Sequence, residues 1–92
     1  MSEAEPDHEY LALVHLDRSQ STFVIQSPDF PALQERCERF DGIDRVARRA
    51  IKGQIRALKE RGPPVPRPTP RSQLTSRPKY RNCFLVMVAA ER

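Results

Sequence analysis

The strongest periodic signal in the chain lies between Asp41 and Gly62. There Ile43, Val46, Ala47, Ala50, Ile51, Ile55 and Leu58 recur at three- and four-residue intervals. This spacing gathers them on one side of a helix and predicts a helix over about residues 42–61 with one buried face. Asp41 is the expected N-cap, with Asp44 at the capping-box position, and both acids suit the positive end of the helix dipole. Gly62 offers a left-handed C-cap, and Pro63 and Pro64 stop the helix. Gly53 inside the helix costs about 1 kcal/mol relative to alanine. It reads either as a tolerated glycine or as a close approach to a strand.

The remaining pattern is sheet. Tyr10–Leu16 is apolar almost throughout, as in a central strand covered on both faces. A turn-forming cluster, Asp17–Ser21, separates it from the β-branched and aromatic run Thr22–Gln26, predicting an antiparallel hairpin. Pro28 and Pro31 end the second strand, because neither can donate to a ladder. Phe30 between them is expected to plug the core beneath the loop. A short, charged edge strand is assigned to about residues 36–39, although Leu33, Cys37 and Phe40 also fit a helical spacing. Residues 62–79 form a proline-rich spacer whose polar, basic second half, Arg71–Lys79, is expected to be mobile. The apolar run CFLVMVAA predicts a last strand over about 81–89, returning through a helical crossover to lie parallel to the first.

Ninety-two residues suffice for one small domain, expected over 10–90 behind a mobile tail, residues 1–9. The formal charge is +4, with the first ten residues acidic and the helix basic. Two cysteines, Cys37 and Cys83, do not make a disulfide framework. The polar, acidic start is not a signal peptide, and no apolar run is long enough to cross a membrane, so a cytoplasmic protein is expected.

The chain lacks a phosphate-binding glycine loop and any Cys/His set at metal-ligand spacing, so neither a metal nor another cofactor is expected. His15, near a strand end, reads as structural. Asp17, Asp29, Asp41 and Asp44 could in principle meet at one sheet end, but each has a structural explanation in a turn, a loop or a helix start. No enzymatic activity is therefore expected. The cationic residues Arg45, Arg48, Arg49, Lys52, Arg56 and Lys59 share one helix face. That face reads as a solvated surface or, alternatively, as a nucleic-acid contact, although it lacks interleaved aromatics for base stacking.

The order strand, strand, Pro28–Asp29–Phe30–Pro31 loop, helix, Gly62–Val65–Pro66–Pro68 exit, strand resembles the N-terminal domain of HicB-type antitoxins. The similarity runs through Tyr10–Val14, Phe23–Val24, Ala47, Ala50 and Leu58. No single motif is specific; their order and spacing are. The resemblance implies a partial ribonuclease-H-like fold of three antiparallel strands, a helix and a fourth strand parallel to the first, without nuclease chemistry. It implies that the protein binds and masks a small mRNA-cleaving HicA-type toxin, and that it forms a homodimer or higher oligomer. The loop Pro28, Asp29, Phe30, Pro31 is the candidate partner contact. Many members continue into a DNA-binding segment; this chain stops at Arg92 directly after its last strand, so operator binding is not expected. It is also basic, where toxin-masking antitoxins are usually acidic.

Overall fold

The computed structural model describes residues 8–91; most of the expected N-terminal tail lies outside them. Four strands, β1 (Glu9–Asp17), β2 (Thr22–Gln26), β3 (Gln34–Cys37) and β4 (Phe84–Ala89), form one sheet in the order β3-β2-β1-β4. A 3-10 turn (Phe40–Gly42) leads into helix α1 (Ile43–Arg61). A short helix α2 (Arg71–Thr75) and a second 3-10 turn (Pro78–Tyr80) precede β4. The domain is α+β, with α1 on one face of the sheet.

β1 is the central strand, and its alternation divides the core in two. Tyr10, Ala12 and Val14 face α1 together with Ile25, Phe30, Leu33, Val88 and the helix residues Ile43, Ala47, Ile51 and Ile55. Leu11 and Leu13 face the other way, against Leu74, Tyr80, Cys83 and Leu85. Every residue from Tyr10 to Val14 is buried, which is why this stretch carries no charged side chain and its one polar group, the Tyr10 hydroxyl, is hydrogen-bonded. Each large aliphatic side chain so buried contributes about 1.5–3 kcal/mol.

The helix ends as expected: Gly62 adopts φ 100°, and its N–H donates to the Leu58 carbonyl at 2.9 Å. Its start differs. Gly42, not Asp41, is the N-cap, and no side chain caps it. Asp41 lies in the preceding 3-10 turn and pairs with Arg39, while Asp44 pairs with Arg48 one turn along. The 3-10 turn moves the first α-helical residue past the apparent cap. Gly53 faces open space, since an added Cβ would meet nothing within 4 Å, so it is a tolerated glycine.

Three expectations are corrected. The edge strand falls two residues earlier than 36–39, because Cys37 pairs with Phe23 and turns its side chain into the helix-facing core. The segment Arg71–Lys79 is structured, because Leu74 is fully buried against Leu11 and Leu13. The largest correction concerns β4, which runs antiparallel to β1. Nineteen helical residues at 1.5 Å each carry the chain about 28 Å down the sheet, to the end where β1 begins. A parallel strand would start there. Instead the proline segment passes around that end onto the opposite face. There, α2 and the second 3-10 turn carry the chain back along the sheet. Phe84 consequently starts β4 opposite Val14, and Ala89 finishes opposite Glu9. The crossover has a second layer that a simple spacer would not.

Candidate partner-binding surface

The Pro28–Pro31 loop is held from within. The Ser27 hydroxyl donates to the Leu11 carbonyl at 3.3 Å, and the Leu33 N–H donates to the Phe30 carbonyl at 2.9 Å. Phe30 is buried, its ring centroid 5.2 Å from that of Tyr10, so it is the plug its position suggested. The Asp29 carboxylate accepts two bonds from Thr69, one from the backbone N–H at 3.0 Å and one from the hydroxyl at 2.6 Å. The Tyr10 hydroxyl donates to the Pro66 carbonyl at 2.7 Å. Together these bonds clamp the proline segment where it rounds the sheet. Pro28 and Asp29 are half-buried, and Pro31 is the exposed member of the loop.

The clamp has a measurable consequence. Hydrogen bonds to a charged group contribute about 1.5–3 kcal/mol. Asp29→Ala removes the acceptor of both Thr69 bonds and should lower stability by about 2 kcal/mol. For a domain of this size that is a fall of roughly 10 °C in melting temperature, readable by thermal circular dichroism.

The other acidic candidates do not meet. Asp17 accepts bonds from the Ser19 hydroxyl at 2.7 Å and the Arg36 guanidinium at 3.1 Å, which together hold its carboxyl below the usual aspartate range. Asp41 and Asp44 are occupied by arginines on their own segment, and Asp29 by Thr69. Among the described residues no three His, Cys, Asp or Glu side chains are placed to hold a metal ion. Cys37 and Cys83 are free thiols, and burial pushes the Cys83 thiol up. His15 is half-buried beside a 330 Å³ cavity that Leu13, Tyr80 and Cys83 also line. Arg45, Arg48, Arg49, Lys52, Arg56 and Lys59 are all exposed on α1.

The surface that sequence reading missed lies at the far end of the helix-covered face. Phe23, Phe40 and Phe84 form a ring triad with centroid separations of 5.9, 6.5 and 5.9 Å. Leu16 pairs with Phe23 across the hairpin. Phe40 is 68% exposed, Leu16 49% and Phe84 39%. These four residues come from β1, β2, the 3-10 turn and β4. Only the register Leu16↔Phe23 and Val14↔Phe84 brings them together, and the expected parallel β4 would have sent Phe84 to the other end. Contiguous exposed apolar surface is a candidate interaction site.

The fold is thus a small sheet-and-helix domain with an exposed apolar patch at one end. Residues 10–91 match the family model of the HicB-like antitoxins of bacterial toxin–antitoxin systems, and the chain belongs to that family. Among solved structures it is similar to the N-terminal domain of the Burkholderia pseudomallei antitoxin HicB, with a TM-score of 0.79 and 26% identity. That match covers 91% of this chain and 99% of the other. A longer structure of the same antitoxin matches with a TM-score of 0.78 and 26% identity over 90% of this chain, which spans 63% of that protein's length. No curated protein sequence matches significantly. Among the described residues no helix is long and apolar enough to cross a membrane.

Proposed function

We propose that this protein is an antitoxin that binds a small HicA-type, mRNA-cleaving toxin in the cytoplasm and blocks its RNA-binding surface by occlusion rather than by chemistry. The family match across the entire sheet-and-helix unit carries this reading. The Phe40 end of the domain is the docking surface, because a large aromatic held in solvent at the centre of an apolar patch is a typical interface anchor. The Pro28–Pro31 loop supports docking by fixing the sheet, and offers Pro31 as a peripheral contact.

Co-expression with a neighbouring small basic reading frame should restore growth and yield a co-purifying complex. Neither rescue nor complex would refute the proposal. Phe40→Asp should weaken that complex at least about thirtyfold, the effect of losing one anchor residue of about 2 kcal/mol. The fold should survive, since Phe40 is mostly exposed.

A second reading rests on the helix. The six cations of the stripe on α1, Arg45, Arg48, Arg49, Lys52, Arg56 and Lys59, are exposed, and among the described residues only Arg48 of them has a carboxylate within salt-bridge distance. If this stripe binds nucleic acid through roughly six phosphates, affinity should fall about a thousandfold between 50 and 200 mM salt. Anisotropy titrations showing binding no tighter than about 10⁻⁴ M at physiological salt would remove this reading.

A further inference from the structure

Between Glu60 and Glu91 the chain holds no acidic residue, yet it holds Arg61, Arg67, Arg71, Arg77, Lys79 and Arg81, all exposed. Among the described residues none of these cations has a carboxylate within salt-bridge distance. Such a run is a solvated surface unless the fold concentrates it. On the sheet face opposite α1 the fold does so. A cavity of about 300 Å³ is lined there by α2, the second 3-10 turn and Leu85 of β4. Leu74, Tyr80 and Leu85 give it apolar walls, and Arg77 and Arg81 both line it. Three other cavities set an acid beside their cations: Glu91 beside Lys52, Glu35 beside Arg36 and Arg49, and Glu9 beside Arg71. This one has two guanidiniums and no carboxylate.

The backbone that carries the two arginines is fixed by successive turns. The Arg77 N–H donates to the Leu74 carbonyl at 3.1 Å, the Tyr80 N–H to the Arg77 carbonyl at 3.1 Å, and the Arg81 N–H to the Pro78 carbonyl at 3.0 Å. Leu74, completely buried, anchors this run to the sheet. The neighbouring hydroxyls are already committed, Thr75 donating to the Ser72 carbonyl and Ser76 to the Gln73 carbonyl. The Arg77 and Arg81 guanidiniums make no hydrogen bond or ion pair among the described residues, so their donors are open to a ligand.

We propose that this cavity binds an organic phosphate, a phosphomonoester carried on a ring-sized apolar body, of which a nucleoside monophosphate is the model. Two guanidiniums match the charge of about −2 that a phosphomonoester bears near neutral pH. Each presents a planar fork of donors suited to phosphate oxygens. A carboxylate would balance only one of them. The apolar walls take the body of the ligand, and the volume is at the small end of ordinary ligand sites, about 300–1,000 Å³. A free mononucleotide and the terminal phosphate of a single strand offer the same chemistry. The site is separate from the cationic stripe of α1, which lies on the other side of the sheet.

Isothermal titration calorimetry on the full chain tests the site, with adenosine monophosphate, adenosine and a terminally phosphorylated short oligoadenylate as probes. Adenosine monophosphate should bind at least about tenfold tighter than adenosine, the effect of charge-assisted bonds to the phosphate. Arg77→Gln and Arg81→Gln should each weaken it at least about tenfold. Both side chains are exposed, so both variants should keep the wild-type circular dichroism spectrum. Arg61→Gln removes the same charge at the end of α1, outside the cavity, and should change the affinity less than about twofold, because distant surface charges are screened. Tighter binding of the phosphorylated oligoadenylate than of the mononucleotide would support the site and identify a strand end as its source of phosphate; the reverse order would support it and identify a free nucleotide. Failure of both phosphate probes to bind at about 1 mM would overturn the proposal. So would equal affinities for adenosine and its monophosphate, or equal losses from Arg61→Gln and Arg77→Gln.

Discussion

Phe30→Ala should lower the unfolding free energy by about 3–5 kcal/mol, the range for deleting a buried aromatic ring. Phe30 is 2% exposed and is gripped from several directions. Its ring lies against Tyr10, its backbone is fixed in the tight loop, and Tyr10 in turn holds Pro66. The cavity therefore opens where β1, the loop and the proline segment meet, a place with little freedom to collapse. Small domains are stable by only about 5–15 kcal/mol, so the variant should be near the limit of folding at 37 °C. Urea unfolding at 15–25 °C, with an unchanged m-value, provides the measurement. Pro31→Ala, one residue away and exposed, should stay within about 0.5 kcal/mol of wild type. A loss below about 1 kcal/mol for Phe30→Ala would mean that the loop relaxes into the space, as the spread of such substitutions allows.

That contrast shows what was legible before the structure. A ring between two prolines had one obvious destination, and the β1–β2 hairpin and the helix were equally plain. Each is written locally, in an alternation, a turn cluster or a helical period. The direction of β4 was not local. Whether the last strand runs up or down depends on how far residues 62–83 travel, and composition shows only that this segment is rich in proline and arginine. Leu74 was the available signal, the single large aliphatic in a long polar stretch between Val65 and Phe84. One apolar residue among prolines and cations is easily dismissed as part of a solvated linker. The aromatic end was hidden for the same reason: Phe23, Phe40 and Phe84 are far apart in the chain, and Phe84 joins the other two only once β4 is reversed. The Pro28–Pro31 loop stood out because it is compact in sequence, whereas its Asp29 partner, Thr69, lies forty residues away.

Leu74→Ala should cost about 2–4 kcal/mol, and its effect should be unevenly distributed. Leu74 is completely buried, yet α2, which carries it, has only five residues and could not persist alone. Its stability comes from the contact with Leu11 and Leu13, and those leucines depend on it for their cover. Removing the side chain uncouples the two layers on that face, while α1 and its core on the opposite face remain intact. Hydrogen exchange should therefore quicken first at Gln73 and Arg77, whose amides bond to Pro70 and Leu74. Exchange at the Ile51 and Ile55 amides should rise only by the global loss of stability. If the route of residues 62–83 over the second face is what reverses β4, amides bonded across the β1–β4 ladder should also lose more protection than those across β1–β2. Equal losses on the two ladders would show that β4 holds its antiparallel place by its own pairing with β1, with α2 serving only as cover.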